Sequence, residues 1–253
     1  MRLGVVIIAK NEEKMIGEAI KSAKFADEVI VYLSPKTTDK TELISRKMGC
    51  RIVEQKGVGY GQWRTNTIKE VKNNWLFYLD ADERFTPKLA KEIKKIIKNK
   101  KRLEPTVYAV PRANYYLGKR VKHGGSWPDY VERFFLKSSL IKWTGELHER
   151  PVYKGKLGYL KNPITHLTHR DLTSMVEKTI KWTNVEADLL FKAKHPPVVA
   201  WRIFRMMFTK FWERVIKQGA WKDGAVGWIN SIFETFNTFI IYARLWEKQQ
   251  KKL

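Results

Sequence analysis

A single cysteine, Cys50, leaves no internal disulfide to staple the fold. The opening residues, MRLGVVIIAKNEE, hold a short apolar run cut by Lys10 and two glutamates, with no small-residue cleavage pattern behind it. Both features point to a reducing, cytoplasmic setting. No apolar run reaches the roughly 20 residues of a membrane-spanning helix; even GAVGWINSIFETFNTFIIYARLW is broken by Asn230, Glu234, Asn237 and Thr238. Acids are scarce: 26 Asp and Glu stand against 49 Lys and Arg, a formal net charge of +23. The excess favours an anionic partner such as nucleic acid, phospholipid or a phosphorylated substrate, although a solubilising lysine-rich surface has the same sign. GVGYG is not G-x-G-x-x-G, and no G-x-x-x-x-G-K-[ST] occurs, so dinucleotide and P-loop readings lose support. His166 and His169 form H-x-x-H rather than H-E-x-x-H, which argues against a dedicated zinc site.

With 253 residues, 43% of them hydrophobic and 13% aromatic, the chain is long and apolar enough for one sizeable core with an appended element. LGVVIIAK reads as a strand buried on both faces, and NEEKMIGEAIKSAKFA follows with apolar positions at helical spacing. DEVIVYL, TTDKTELISRKMG and CRIVEQ continue as strand, helix and strand; RTNTIKEVKN gives a helix and WLFYLD a fourth strand. This alternation predicts an α/β fold with a mostly parallel central sheet flanked by helices. From about residue 101 short β-like runs with Gly turns predict a small mixed or antiparallel section, and from Asp171 the pattern is helical, broken at HPP (His195 to Pro197).

In NNWLFYLDADERFTP, three carboxylates, Asp80, Asp82 and Glu83, follow a strand directly. Ligands of open α/β sheets bind beyond the carboxyl ends of strands. Two acids one residue apart can face one divalent cation, and Mg²⁺ or Mn²⁺ commonly keeps phosphate oxygens in its shell. The plain alternative is a solvated turn leading into the helix of TPKLAKEIKKIIKN, with Thr86 before Pro87 as cap.

VVIIAKNEE, DEVIVYLSPKTTDKT, NNWLFYLDADERFTPKL, ANYYLGKRVKHGGSWPDYVERFF and GELHERP, in this order, resemble the family 2 inverting glycosyltransferases, in particular the lipopolysaccharide core branch. The resemblance implies a GT-A type catalytic domain over residues 1–170, with a nucleotide-sugar-binding half (1–100) and an acceptor half (101–170), followed by a basic aromatic helical tail (171–253). It implies a nucleotide-sugar donor, a glycolipid or envelope glycan acceptor, and a DXD motif of Asp80, Ala81 and Asp82 holding a divalent metal, Mg²⁺ or Mn²⁺, with His166 as a further metal or phosphate contact. Ala9, Lys10, Asn11 and Glu12 would lie beside the nucleotide, Arg64 matches a basic position near the donor, and Asp39 matches a later Asp of the second-strand motif. Leu33 stands where that motif usually carries an Asp.

An inverting transfer needs a carboxylate to take the acceptor's proton. Glu149 in GELHERP is the first candidate and Asp129 in SWPDYVERFF the second; the bland alternatives are an ion pair of Glu149 with Arg150 or Arg133, and a turn role for Asp129 after Pro128. Within the segment 201–246, Trp201, Phe204, Phe208, Phe211, Trp212 and Val215 share one helical face, with Arg202, Lys210, Arg214 and Lys217 on the other. That pattern suits a helix lying on an anionic membrane, and equally one packing on the core. The rival classes are a basic nucleic-acid-binding protein, disfavoured because no recognised reading motif occurs, and a nucleotidyltransferase.

Overall fold

The computed structural model describes residues 1–99, 104–145 and 149–251. The expected change of rhythm at residue 101, and Glu146 to His148 of the GELHERP stretch, lie outside them. The chain forms two compact units, residues 1–112 with 130–166 and residues 113–129 with 167–253.

In the first unit, strands β1 (Leu3–Ala9), β2 (Glu28–Leu33), β3 (Arg51–Glu54) and β4 (Trp75–Asp80) alternate with helices α1 (Ile16–Ala23), α2 (Thr41–Lys47) and α3 (Tyr60–Glu70). β1 pairs in parallel with β2 on one side and β4 on the other, and β2 with β3. A short strand β5 (Glu83–Phe85) precedes α4 (Pro87–Lys98), and then come β6 (Val107–Tyr116), β7 (Lys119–Arg120), β8 (Asp129–Leu136), β9 (Leu140–Thr144), β10 (Arg150–Tyr153), β11 (Leu157–Tyr159) and β12 (Ile164–His169). The sheet runs β3-β2-β1-β4-β8-β6-β12-β5, so the parallel half continues into an antiparallel one at β4–β8.

Alternation along β1 and β4 builds both faces of the core. Val5, Ile7, Phe77 and Leu79 meet Ile16 and Ile20 of α1 and Leu89 and Ile93 of α4. Val6, Leu76 and Tyr78 meet Val71, Trp143 and the partly buried Trp63 of α3. α4 starts where its sequence says: Thr86 Oγ1 accepts from Leu89 N–H at 3.2 Å and Pro87 occupies the first turn, where its missing N–H costs nothing.

The second unit is dominated by α5 (Leu172–Lys192), α6 (Ala200–Trp212) and α7 (Ala225–Gln250). The break expected at HPP separates α5 from α6. Asp171 caps α5 reciprocally with Ser174, and Val198, Tyr242 and Leu245 form the inner seam, with Ile203 and Met206 of α6 packed on it. α6 is followed by one wider π-type turn over residues 213–217. Val215, which helical spacing puts on the aromatic face, falls in this turn and is buried, whereas Trp201, Phe204, Phe208 and Trp212 are exposed. Among the described residues no helix is long and apolar enough to cross a membrane.

Candidate active site

Asp80 is the last residue of β4, at the carboxyl edge of the parallel strands. Its partners are guanidinium groups: Arg64 Nη2 donates to Oδ1 at 2.9 Å and Arg133 Nη2 to Oδ2 at 2.5 Å. Burial by itself raises a carboxyl pKa; here Arg133 and then Arg64 outweigh it and hold Asp80 well below the usual carboxylate range. Arg133 in turn is pushed above its ordinary value, since Asp80 and Glu83 overcome its desolvation. Part of the positive charge that the clustered acids require is therefore supplied at Asp80 by two arginines, one on each carboxylate oxygen.

Arg64 sits in the second turn of α3, five residues after Gly59, and is 2% exposed. Its guanidinium carbon lies 5.1 Å from the ring centres of both Tyr78 and Trp143, which desolvate it while offering their π faces. Besides Asp80 it reaches Glu149, Nε to Oε1 at 3.1 Å. Glycine at position 61 makes this possible: a Cβ there would stand 2.3 Å from the carbonyl oxygen of Gly145, so any side chain would push α3 away from the end of β9.

Asp82 faces a different group. The antiparallel register of β5 and β12 sets His166 opposite Glu83, and His166 Nε2 lies 3.6 Å from Asp82 Oδ2. Ala81 between the two aspartates is buried. Among the described residues no three His, Cys, Asp or Glu side chains gather as a complete metal cage. The Asp82–His166 pair nevertheless offers one carboxylate and one imidazole, a donor set that fits a divalent cation whose remaining positions are taken by phosphate oxygens and water.

Glu83 is fully buried, with Oε2 accepting the backbone N–H of Asp80 at 3.0 Å and Oε1 without a hydrogen-bond partner among the described residues. Burial first, and then the charge of Asp80, push its carboxyl up against the pull of Arg133. Tyr60, at the start of α3, is pushed up to about 12 by burial and then by Asp80, with Glu149 and Glu12 adding to the shift.

The loop after β1 is braced on the loop after β2. Asn11, in the left-handed region at φ 55°, accepts from Thr38 N–H at 2.8 Å; Glu12 N–H donates to Thr41 Oγ1 at 2.7 Å, and Glu13 N–H to Asp39 Oδ2 at 2.9 Å. Burial would raise the Asp39 carboxyl, but the Thr41 hydroxyl and the backbone amides of Glu13 and Thr41 lower it overall. Asp39 is thus the tie between the two loops, while Lys10 is exposed and Ala9 buried, its carbonyl accepting from Ser34 N–H at 3.0 Å.

Glu149 lines a cavity of ≈ 890 Å³ together with Arg112, Arg133, Trp143 and the β8 and β10 residues Tyr130, Glu132, Arg150 and Tyr153. Its ion pair is with Arg64, not with Arg150 or Arg133. Asp129 belongs to the second unit, where its Oδ2 accepts from Asn114 Nδ2 at 2.9 Å. Sequence reasoning named Arg133 only as a possible partner of Glu149 and gave Glu83 no buried role. The available signal was an arginine set between Val131 and Phe134–Phe135 in an otherwise buried-type strand, where a charge needs a partner.

An α/β sheet with its acids at the strand ends and a smaller antiparallel half is the architecture of the GT-A glycosyltransferases. The chain belongs to glycosyl transferase family 2, whose family model matches residues 4–158. It is 27% identical over 267 residues to an uncharacterized glycosyltransferase of Rickettsia bellii, covering 97% of this chain and 86% of that one. With the lipopolysaccharide core biosynthesis glycosyltransferase LpsC of Rhizobium meliloti it shares 22% identity, over 99% of this chain and 94% of the relative. Among solved structures it superposes on S. aureus TarS 1-349 in complex with UDP-GlcNAc with a TM-score of 0.50 at 12% identity, covering 100% of this chain and 92% of that one. A looser match, to glucosyl-3-phosphoglycerate synthase of Mycobacterium tuberculosis, has a TM-score of 0.40 at 18% identity and spans 55% of this chain and 60% of that one.

Proposed function

We propose that this glycosyltransferase is a metal-assisted, inverting enzyme that moves a sugar from a nucleotide-diphosphate donor to a hydroxyl of a glycolipid or other envelope glycan at an anionic membrane surface. The observation that carries the reading is the contiguous set at the end of β4: Asp82 beside His166, and Asp80 joined through Arg64 to Glu149.

Asp82 and His166 are the residues that would hold Mg²⁺ or Mn²⁺. Bound there, the ion supplies Lewis-acid neutralisation of the departing diphosphate. Arg64 Nη1 and Arg133 Nε are buried without acceptors among the described residues, and a donor oxygen would relieve the cost of leaving them unpaired. The loops after β1 and β2, fixed by Asp39, Asn11 and Glu12, border the nucleotide.

Glu149 takes the proton of the acceptor hydroxyl as that oxygen bonds to the anomeric carbon. The anomeric carbon's bond to the terminal phosphate oxygen breaks, its electron pair leaves with the nucleotide diphosphate, and attack from the opposite face inverts the centre. Arg64 orients the base by holding Oε1. Asp129, committed to Asn114 in the other unit, is the weaker candidate.

The membrane part of the reading rests on α6. Phe204 is 71% and Phe208 65% exposed, in line with Trp201 and Trp212, and Arg202, Arg205, Lys210, Arg214 and Lys217 lie on the same segment against one acid, Glu213. Exposed aromatics with flanking cations suit the headgroup boundary of anionic lipid. The similarity to LpsC supports an envelope acceptor.

The test is a panel of nucleotide sugars incubated with the protein, with Mn²⁺, Mg²⁺ or a chelator. Turnover of at least one donor is expected, lost on chelation, restored by metal and abolished by Asp82→Ala with the melting temperature retained. Absence of hydrolysis and transfer with every donor and metal would sink the reading.

A further inference from the structure

The cavity beside Glu149 holds information about what enters it. At ≈ 890 Å³ it lies within the range of small-molecule sites, about 300–1,000 Å³. Its arginines are not equivalent. Arg133 is neutralised by Asp80, whereas Arg150 is exposed, and among the described residues no carboxylate comes within ion-pair distance of it. It is held at the start of β10 opposite Thr144, whose hydroxyl donates to its backbone carbonyl at 3.3 Å, so its backbone is pinned while its head group is left to the cavity.

The acids of the cavity do not answer Arg150 either. Glu149 is taken by Arg64, and Glu132 accepts from the Tyr153 hydroxyl at 3.3 Å. Tyr130 and Tyr153 add ring faces of the kind that stack on the apolar side of a pyranose, and Tyr130 is steadied by an edge contact with Tyr159 at 5.1 Å. A guanidinium fork matches the paired oxygens of phosphate or carboxylate.

We infer that the acceptor is an anionic sugar, bearing a phosphate or carboxylate group, and that Arg150 selects it by pairing with that group. The inference rests on the transferase reading and on Glu149 as its base, but it is read by binding and therefore fails separately.

Glucose 6-phosphate, glucuronate, glucose and inorganic phosphate are titrated into the full chain by calorimetry. At least one of the two charged sugars should bind tenfold or more tightly than both glucose and inorganic phosphate. A preference for the phosphate sugar assigns a phosphorylated acceptor, and one for glucuronate a carboxylated one. Arg150→Gln should remove the preference and Arg150→Lys restore part of it, with unchanged melting temperatures because the side chain is exposed. Equal binding of charged and neutral sugars, no binding of either, inorganic phosphate binding as well as the charged sugars, or a preference that survives in Arg150→Gln overturns the inference. Charged-sugar preference without any donor turnover would instead remove the transferase reading and leave the anion pocket standing.

Discussion

Arg64 donates its Nε hydrogen to Glu149 Oε1 across 3.1 Å, joining two residues 85 positions apart in the chain. The same guanidinium holds Asp80, so one buried side chain couples the end of β4 to the Glu149 carboxylate in the ≈ 890 Å³ cavity. A lysine has a single ammonium and cannot span both carboxylates in one plane. Arg64→Lys should therefore fold but lose on the order of 10²-fold in kcat through misplacement of Glu149. Arg64→Ala should cost about 3–5 kcal/mol, because it strips a buried partner from Asp80. Chemical denaturation and steady-state kinetics on the two variants check both statements.

Glu149→Gln keeps the shape and the contact with Arg64 but cannot accept a proton. The expected result is a fall in kcat of about 10²–10⁴-fold, with nucleotide binding retained in calorimetry. Asp129→Asn should fall far less. Equal losses in the two would reassign the base.

Glu83 gives a pH signature of its own. Its folded pKa lies above the unfolded value of 4.5, so the native state keeps a proton that the unfolded chain releases. Its contribution to stability is complete below the unfolded value and is lost as pH rises through the folded one. Asp80 has the opposite sign: its depressed pKa stabilises above 3.8 and is lost as pH falls below it. Glu83→Gln retains an acceptor for the Asp80 amide without the charge. The difference in unfolding free energy between Glu83→Gln and the native chain should grow in the variant's favour as pH is raised from about 4.5; a difference that stays flat, or shrinks, refutes a protonated Glu83.

Exposed aromatics on α6 can be changed without touching the core. Replacing Trp201, Phe204 and Phe208 together by serine should leave the melting temperature intact and lower partition onto anionic vesicles by on the order of tenfold or more. Binding of the native chain should weaken between about 0.1 and 1 M salt, where the screening length drops from about 10 to 3 Å. Vesicles of neutral lipid serve as the comparison in the same flotation measurement.

Local pattern carried much of this molecule. β-branched runs alternating with helical spacing set the parallel half of the sheet, because strand and helix periodicities are properties of ten-residue windows. The strand-end position of Asp80 and the Thr86–Pro87 helix start followed from the same windows. The partners of those residues did not. Asp80 finds its countercharges on α3 and β8, 16 and 53 residues away, and His166 meets Asp82 through the register of β5 against β12. That Val215 is buried while Trp201, Phe204, Phe208 and Trp212 stay exposed is likewise not written in the helical spacing they share. Pairing across long loops depends on register and close approach, as at Gly61, and neither is written in any local stretch of chain.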